Sequence, residues 1–108
     1  MKTEENVMCI LLKSTASKEK VIEYCEKKLA PLEEADRKKG TDYIHTLEVY
    51  LDNGNDLLHS AEKMYIHRNT MINRMRKISA LLGVDVNAPK ERAELNNIFY
   101  VLNHVKDE

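Results

Sequence analysis

Five cationic side chains, Lys63, Arg68, Arg74, Arg76 and Lys77, crowd the stretch from Ser60 to Ala80 against a single acid, Glu62. That local balance of +4 sits in a chain of formal net charge −1, so the remainder carries −5. The amides of Asn69 and Asn73 and the hydroxyl of Thr70 lie among these cations. Ammonium and guanidinium groups bind phosphate, while amides and guanidinium groups pair bidentately with base edges. The plain alternative is a solvated polar face, which most surface helices possess. The lopsided charge favours a polyanionic partner.

Other chemistry is poorly served. His45, His59, His67 and His104 have no partners at metal-ligand spacing, and Cys9 and Cys25 match no redox or metal pattern. Both cysteines fall in apolar patterns and read as reduced thiols of a cytoplasmic protein. No glycine-rich phosphate loop occurs, no motif gathers serine, histidine and acid, and Glu33-Glu34 is a surface pair. The sequence therefore predicts no catalytic residue, no metal and no cofactor.

The elements that must position the basic stretch are helical. A chain of 108 residues suffices for one compact domain, and three glycines and two prolines leave long helical runs little interrupted. No apolar run approaches the ~18 residues of a membrane span, and Val7 to Leu12 is too short for a signal sequence. Residues 7–13 are apolar and either helical or extended. Ser17 is placed to cap a helix through Leu29, with Val21, Ile22, Cys25 and Leu29 on one face. Pro31 should break or restart that run, and Leu32 to Lys39 continue it to a stop at Gly40.

A second unit opens at Thr41 or Asp42, with Ile44, Leu47 and Leu51 along one face beside Tyr43 and Tyr50, and ends at Asn53-Gly54. A short helix over Asp56–Lys63 turns Leu57, Ala61 and Met64 inward. Met64-Tyr65-Ile66 connects it tightly to a helix over His67–Leu82, ended by Gly83. Asn87-Ala88-Pro89 starts the last helix, with Leu95, Ile98, Phe99 and Leu102 as its buried stripe. The division expected is an N-terminal helical segment, 1–40, joining an upstream sensory region, and a DNA-binding domain, 41–108.

Two helices joined by a short turn, the second one basic, form the pattern of a helix-turn-helix. At about 100° per residue, Met71, Met75, Ile78 and Leu82 share a narrow arc that must face the core. Asn69, Ile72, Asn73, Arg76 and Lys77 lie opposite, with Thr70 on the flank. Arg74 projects beside the apolar stripe, suiting either a structural ion pair or helix packing, or else a phosphate contact. His67 suits a helix cap or a phosphate contact, with a neutral structural role as the alternative.

Thr46-Leu47, Tyr50-Leu51, Ala61, His67-Arg68-Asn69-Thr70, Arg74 and Leu82-Gly83-Val84-Asp85 together resemble the C-terminal helix-turn-helix of the PucR/CdaR family of bacterial transcription regulators. The resemblance runs from Leu29 to Val105, and the local geometry is similar to the Fis-type helix-turn-helix. Three positions depart from the pattern. Ile72 and Asn73 stand where a basic and an aromatic residue are common, and Leu58 replaces a usual capping Ser, leaving Asn55 or Asp56 to cap. The resemblance implies an upstream sensory region that carries the effector site and helps to set the oligomeric state.

The resulting expectation is an all-α domain of five or six helices with a helix-turn-helix at 56–82. It would bind double-stranded DNA through His67, Arg68, Asn69, Thr70, Asn73, Arg76 and Lys77, as a homodimer, with no membrane association. Small effectors would act only through the upstream region. Val7, Ile10, Leu11, Val21, Ile22 and Leu29 exceed what a minimal helix-turn-helix needs, and either complete the core or form a subunit interface. The competing readings are a helical oligomerisation or partner-docking module and a binder of structured RNA. The basic helix lacks the aromatics that RNA readers use for stacking.

Overall fold

The structure, a computed structural model, describes residues 18–105; the Ser17 cap and the apolar stretch 7–13 lie outside them. Within that range the chain is all-α. Helix α1 spans Lys18–Lys39, α2 Tyr43–Asp52, α3 Leu57–Lys63, α4 Arg68–Leu82 and α5 Pro89–Tyr100, the last continuing into a π-helical turn, Val101–Val105. Residues expected on inward faces meet in one buried cluster. It joins Val21, Cys25 and Leu29 of α1 to Leu47 of α2, Met71 of α4 and Ile98 of α5.

Pro31 corrects the sequence reading. It sits inside α1, which runs unbroken from Lys18 to Lys39. Proline removes a backbone donor and crowds the preceding turn at a cost of ~3 kcal/mol. Here Leu29 and Leu32, on either side of it, are both buried, at 4% and 0% exposure. Burying a leucine contributes about 1.5–3 kcal/mol, so two such residues outweigh the break. Cys25 on the same face is fully buried, and burial pushes its thiol up to about 11, leaving it protonated at neutral pH.

The junction of α1 with α2 is made by a side chain that the sequence pattern did not single out. Asp42 occupies the N-cap position of α2, yet its side chain caps nothing. The Asp36 carboxylate, reaching over from α1, accepts instead from the backbone N–H of Tyr43 at 2.8 Å and of Ile44 at 3.1 Å. It also accepts from the Thr41 hydroxyl at 2.5 Å. A helix leaves its first N–H groups unpaired, and one carboxylate here satisfies two of them while fixing the angle between helices.

A second buried polar tie joins α1 to α5. Glu94 is only 6% exposed, accepts from the Tyr24 hydroxyl, and has Lys28 Nζ 3.9 Å away. Burial first, then the Glu94 hydrogen bond and charge, hold the Tyr24 phenol well above the ordinary tyrosine range.

The connection from α3 to α4 is tight because Tyr65 adopts the left-handed conformation, φ 58°. Its N–H donates to Glu62 O at 3.1 Å, and the next N–H, of Ile66, donates to Ala61 O at 3.0 Å. These bonds cap α3 and turn the chain into α4. Ala61 and Ser60, both buried, allow α3 to approach closely.

Two stability outcomes follow. Met75→Ala should lower unfolding free energy by about 2–5 kcal/mol in thermal or urea denaturation, since it empties a core position; an unchanged midpoint would place that face in solvent. Tyr65→Gly should raise stability by roughly 0.5–1 kcal/mol, because relief of left-handed strain exceeds the added chain entropy. A loss of stability would show that the exposed ring makes a contact worth more than the strain.

Candidate nucleic-acid interface

Helix α4 owes its place to its apolar stripe. Met71 and Ile78 are fully buried and Met75 nearly so, while Leu82 is half-buried against the same cluster. Helical periodicity then turns the opposite residues outward. Arg68, Asn69, Thr70, Asn73, Arg76 and Lys77 are all exposed, and Ile72 is half-buried. Asn73 lies at the crown of this face, roughly 180° around the helix from the mean direction of the stripe. Every residue proposed from sequence for DNA contact is thus on the solvent side of α4 or at its start.

Both ends of α4 are defined. His67 is the N-cap, and its Nδ1 accepts from the backbone N–H of Asn69 at 3.0 Å. An accepting Nδ1 requires the tautomer protonated at Nε2, so the remaining ring nitrogen is a donor at the exposed start of the helix. Gly83 closes α4 in the left-handed conformation at φ 72°, its N–H bonded to Ser79 O at 2.8 Å. Neither feature needs the flanking helices, so the length of α4 is set locally. At the start of α3, Asp56 supplies the cap, accepting from His59 N–H at 2.9 Å, which decides between the two candidates the sequence left open.

Among the described residues, no recorded ion pair neutralises the charge of α4; those recorded are Lys28 with Glu94 and Lys38 with Glu34. Arg68, Arg76 and Lys77 are exposed, with no acid between Arg68 and Leu82. Such a face attracts polyanions through its concentration of like charge, most strongly at low salt.

Arg74 behaves differently. It is half-buried, and its Nη1 donates to Thr46 Oγ1 of α2 at 3.4 Å. Thr46 is itself fully buried and donates to Asp42 O at 2.6 Å. The contact is a hydrogen bond between helices rather than an ion pair, and agrees with the packing role read from its projection.

Two grooves flank the crown. On one side Thr70, Asn73 and Lys77 face the Gly40–Tyr43 turn; on the other Ile72, Arg76 and Ser79 face Tyr50, Leu57 and Asn87. The second groove is braced by Asn87, whose Oδ1 accepts from the Tyr50 hydroxyl at 2.8 Å and from Asn55 Nδ2 at 2.9 Å. These partners are more than thirty residues apart in sequence, and periodicity carries no signal for them. Tyr65 was also missed: it is 95% exposed at the turn into α4, an aromatic beside the basic helix.

No group of three or more metal-binding side chains occurs among the described residues, and no described helix is long and apolar enough to cross a membrane.

Comparison with known proteins agrees with this geometry. Residues 43–98, from the start of α2 to near the end of α5, match the model of the PucR C-terminal helix-turn-helix domain. The chain is 33% identical over 84 residues to a proline-responsive transcriptional activator, PutR, of Bacillus subtilis (strain 168), covering 78% of this chain and 20% of that protein. It is 38% identical over 52 residues to a purine catabolism regulatory protein of the same organism, covering 48% of this chain and 10% of that protein. The chain thus spans a fifth or less of the length of these curated relatives. No solved structure matches it. An all-helical domain with a capped basic helix, matched over more than half its length, belongs to the family of PucR C-terminal helix-turn-helix domains.

Proposed function

We propose that this domain reads double-stranded DNA by placing α4 in the major groove, as part of a longer, cytoplasmic, effector-responsive transcription regulator. The observation that carries the reading is the outward face of α4, which presents Arg68, Asn69, Thr70, Asn73, Arg76 and Lys77 with no acid among them and no internal ion pair. A recognition helix enters the groove with its N-terminal residues on base edges. Arg68 and Asn73 are therefore the readers, a guanidinium suited to guanine and an amide suited to adenine. Arg76 joins them along the crown. Thr70 and Lys77 are anchors on phosphate, and His67 and Asn69 contact the backbone at the start of the helix.

The domain performs no catalysis, and small effectors act from outside it. Residues 1–40 link the DNA-reading part, 41–108, to that sensing region. The names of the relatives, one responsive to proline and one regulating purine catabolism, support a sensor whose ligand is a small metabolite.

Exchange of single side chains separates reading from anchoring. Asn73→Ala should change sequence preference by about 1–3 kcal/mol at one base pair while leaving binding to random duplex nearly constant. Lys77→Ala should weaken all duplexes alike and reduce the salt slope by about one unit. Identical behaviour of the two variants in a salt-titrated binding assay would remove the distinction. Absence of duplex binding by the unaltered chain at low salt would favour a docking module instead.

Operator binding is by a symmetric homodimer. One α4 touches only a few base pairs, too few for discrimination against a genome, and two copies about 34 Å apart would read successive turns of one DNA face. Sedimentation with a duplex carrying two half-sites should give two chains per duplex, with weak binding to one half-site. A tight one-to-one complex on a single half-site would contradict the dimer.

A further inference from the structure

A groove of about 420 Å³ separates α4 from the turn between α1 and α2. Thr70, Asn73, Arg74 and Lys77 form one wall, and the Gly40–Tyr43 turn forms the other. The four α4 residues are spaced so that they share a helix face, and three of them also belong to the outward surface. Whatever lies along the crown of α4 therefore continues into this groove.

The wall is built around a fixed guanidinium. Arg74 Nη1 is held on Thr46 Oγ1, and Thr46 is fixed in turn on Asp42 O. One of the five guanidinium donors is occupied by that recorded bond, which orients the planar group without neutralising it. Lys77, one helical turn further along, is likewise outside the recorded ion pairs of the described residues.

The opposite wall carries an acid where a cap would be. Asp42 is exposed, and its carboxylate bonds no α2 N–H because Asp36 already satisfies Tyr43 and Ile44. An unengaged carboxylate beside two cations that pair with no acid contributes little to folding. Beside a polyanion it acts by repulsion.

We propose that this groove seats one sugar-phosphate strand of the duplex, with Arg74 and Lys77 on its phosphodiester oxygens and Asp42 on the rim as a counter-charge that limits sequence-independent affinity. The seat rests on the DNA-reading function above and extends it to the turn between α1 and α2. It gives Arg74 a second task, since the hydrogen bond to Thr46 holds the guanidinium in place for phosphate. Repulsion from Asp42 falls equally on all sequences, so it raises the share of affinity that base pairing must supply.

The test compares two charge reversals of equal size in the full chain. Asp42→Lys alters the rim of the seat at a side chain that caps nothing. Glu23→Lys alters an exposed position on α1, about 24 Å along that helix from Lys39 at ~1.5 Å per residue, beyond the reach of screened surface charge. Binding to a random-sequence duplex is followed by fluorescence anisotropy between about 50 and about 200 mM salt. Asp42→Lys should bind more tightly and add roughly 0.9 to the salt slope, an extra loss of about 3.5-fold across that range, while Glu23→Lys keeps the slope of the unaltered chain. Equal slopes for the two variants, with the unaltered chain binding, would overturn the seat alone. An unaltered chain that binds no duplex at low salt would overturn the DNA-reading function and the seat with it.

Discussion

Three side chains on one helical stripe, Met71, Met75 and Ile78, determine what this domain presents to its surroundings. All three are buried in the cluster shared with α1, α2 and α5. Their burial fixes the rotation of α4 about its own axis, because a turn of even one residue would drive a polar group into the core at a cost of ~2 kcal/mol or more. Asn73 is at the crown because Met71, Met75 and Ile78 are not. The proposed DNA-reading face thus depends on apolar packing on the opposite side of the helix, and the polar face needs no internal partner to hold it outward.

Around that stripe the angles between helices are set by a few polar ties. Asp36 binds the start of α2 to the end of α1, Thr46 holds Arg74 of α4 to α2, and Glu94 with Tyr24 joins α5 to α1. Each satisfies groups that would otherwise be costly when shielded from water, and each has a defined direction. Apolar burial brings the helices together, and these bonds choose one arrangement among the several that similar packing would allow.

Much of this was legible in the sequence, for physical reasons that differ from element to element. The stripe on α4, the stop at Gly83 and the start at Pro89 follow from short-range rules of periodicity and capping. The exposed residues of α4 follow from the same projection. Pro31 was misread because the local cost of proline is visible in sequence, while the compensating burial of Leu29 and Leu32 is a property of the assembled core. Asp36 escaped notice because it caps a helix other than its own. The burial of Glu94 is likewise a property of the assembled helices, and Tyr65 is not the glycine that usually announces a left-handed turn. Contacts between residues far apart in the chain, such as Tyr50 with Asn87, had no sequence signal at all.

The central claim is that α4 faces DNA because its other face is locked in the core. The most direct measurement is a titration of the isotopically labelled chain with a duplex, following backbone amide chemical shifts by NMR. The largest shifts should fall on α4 from Arg68 to Lys77 and on the turn at Gly40–Tyr43. The amides of the first half of α1, around Glu19 and Glu23, should stay in place. Shifts centred on α1 or α5, with α4 unaffected, would contradict the account.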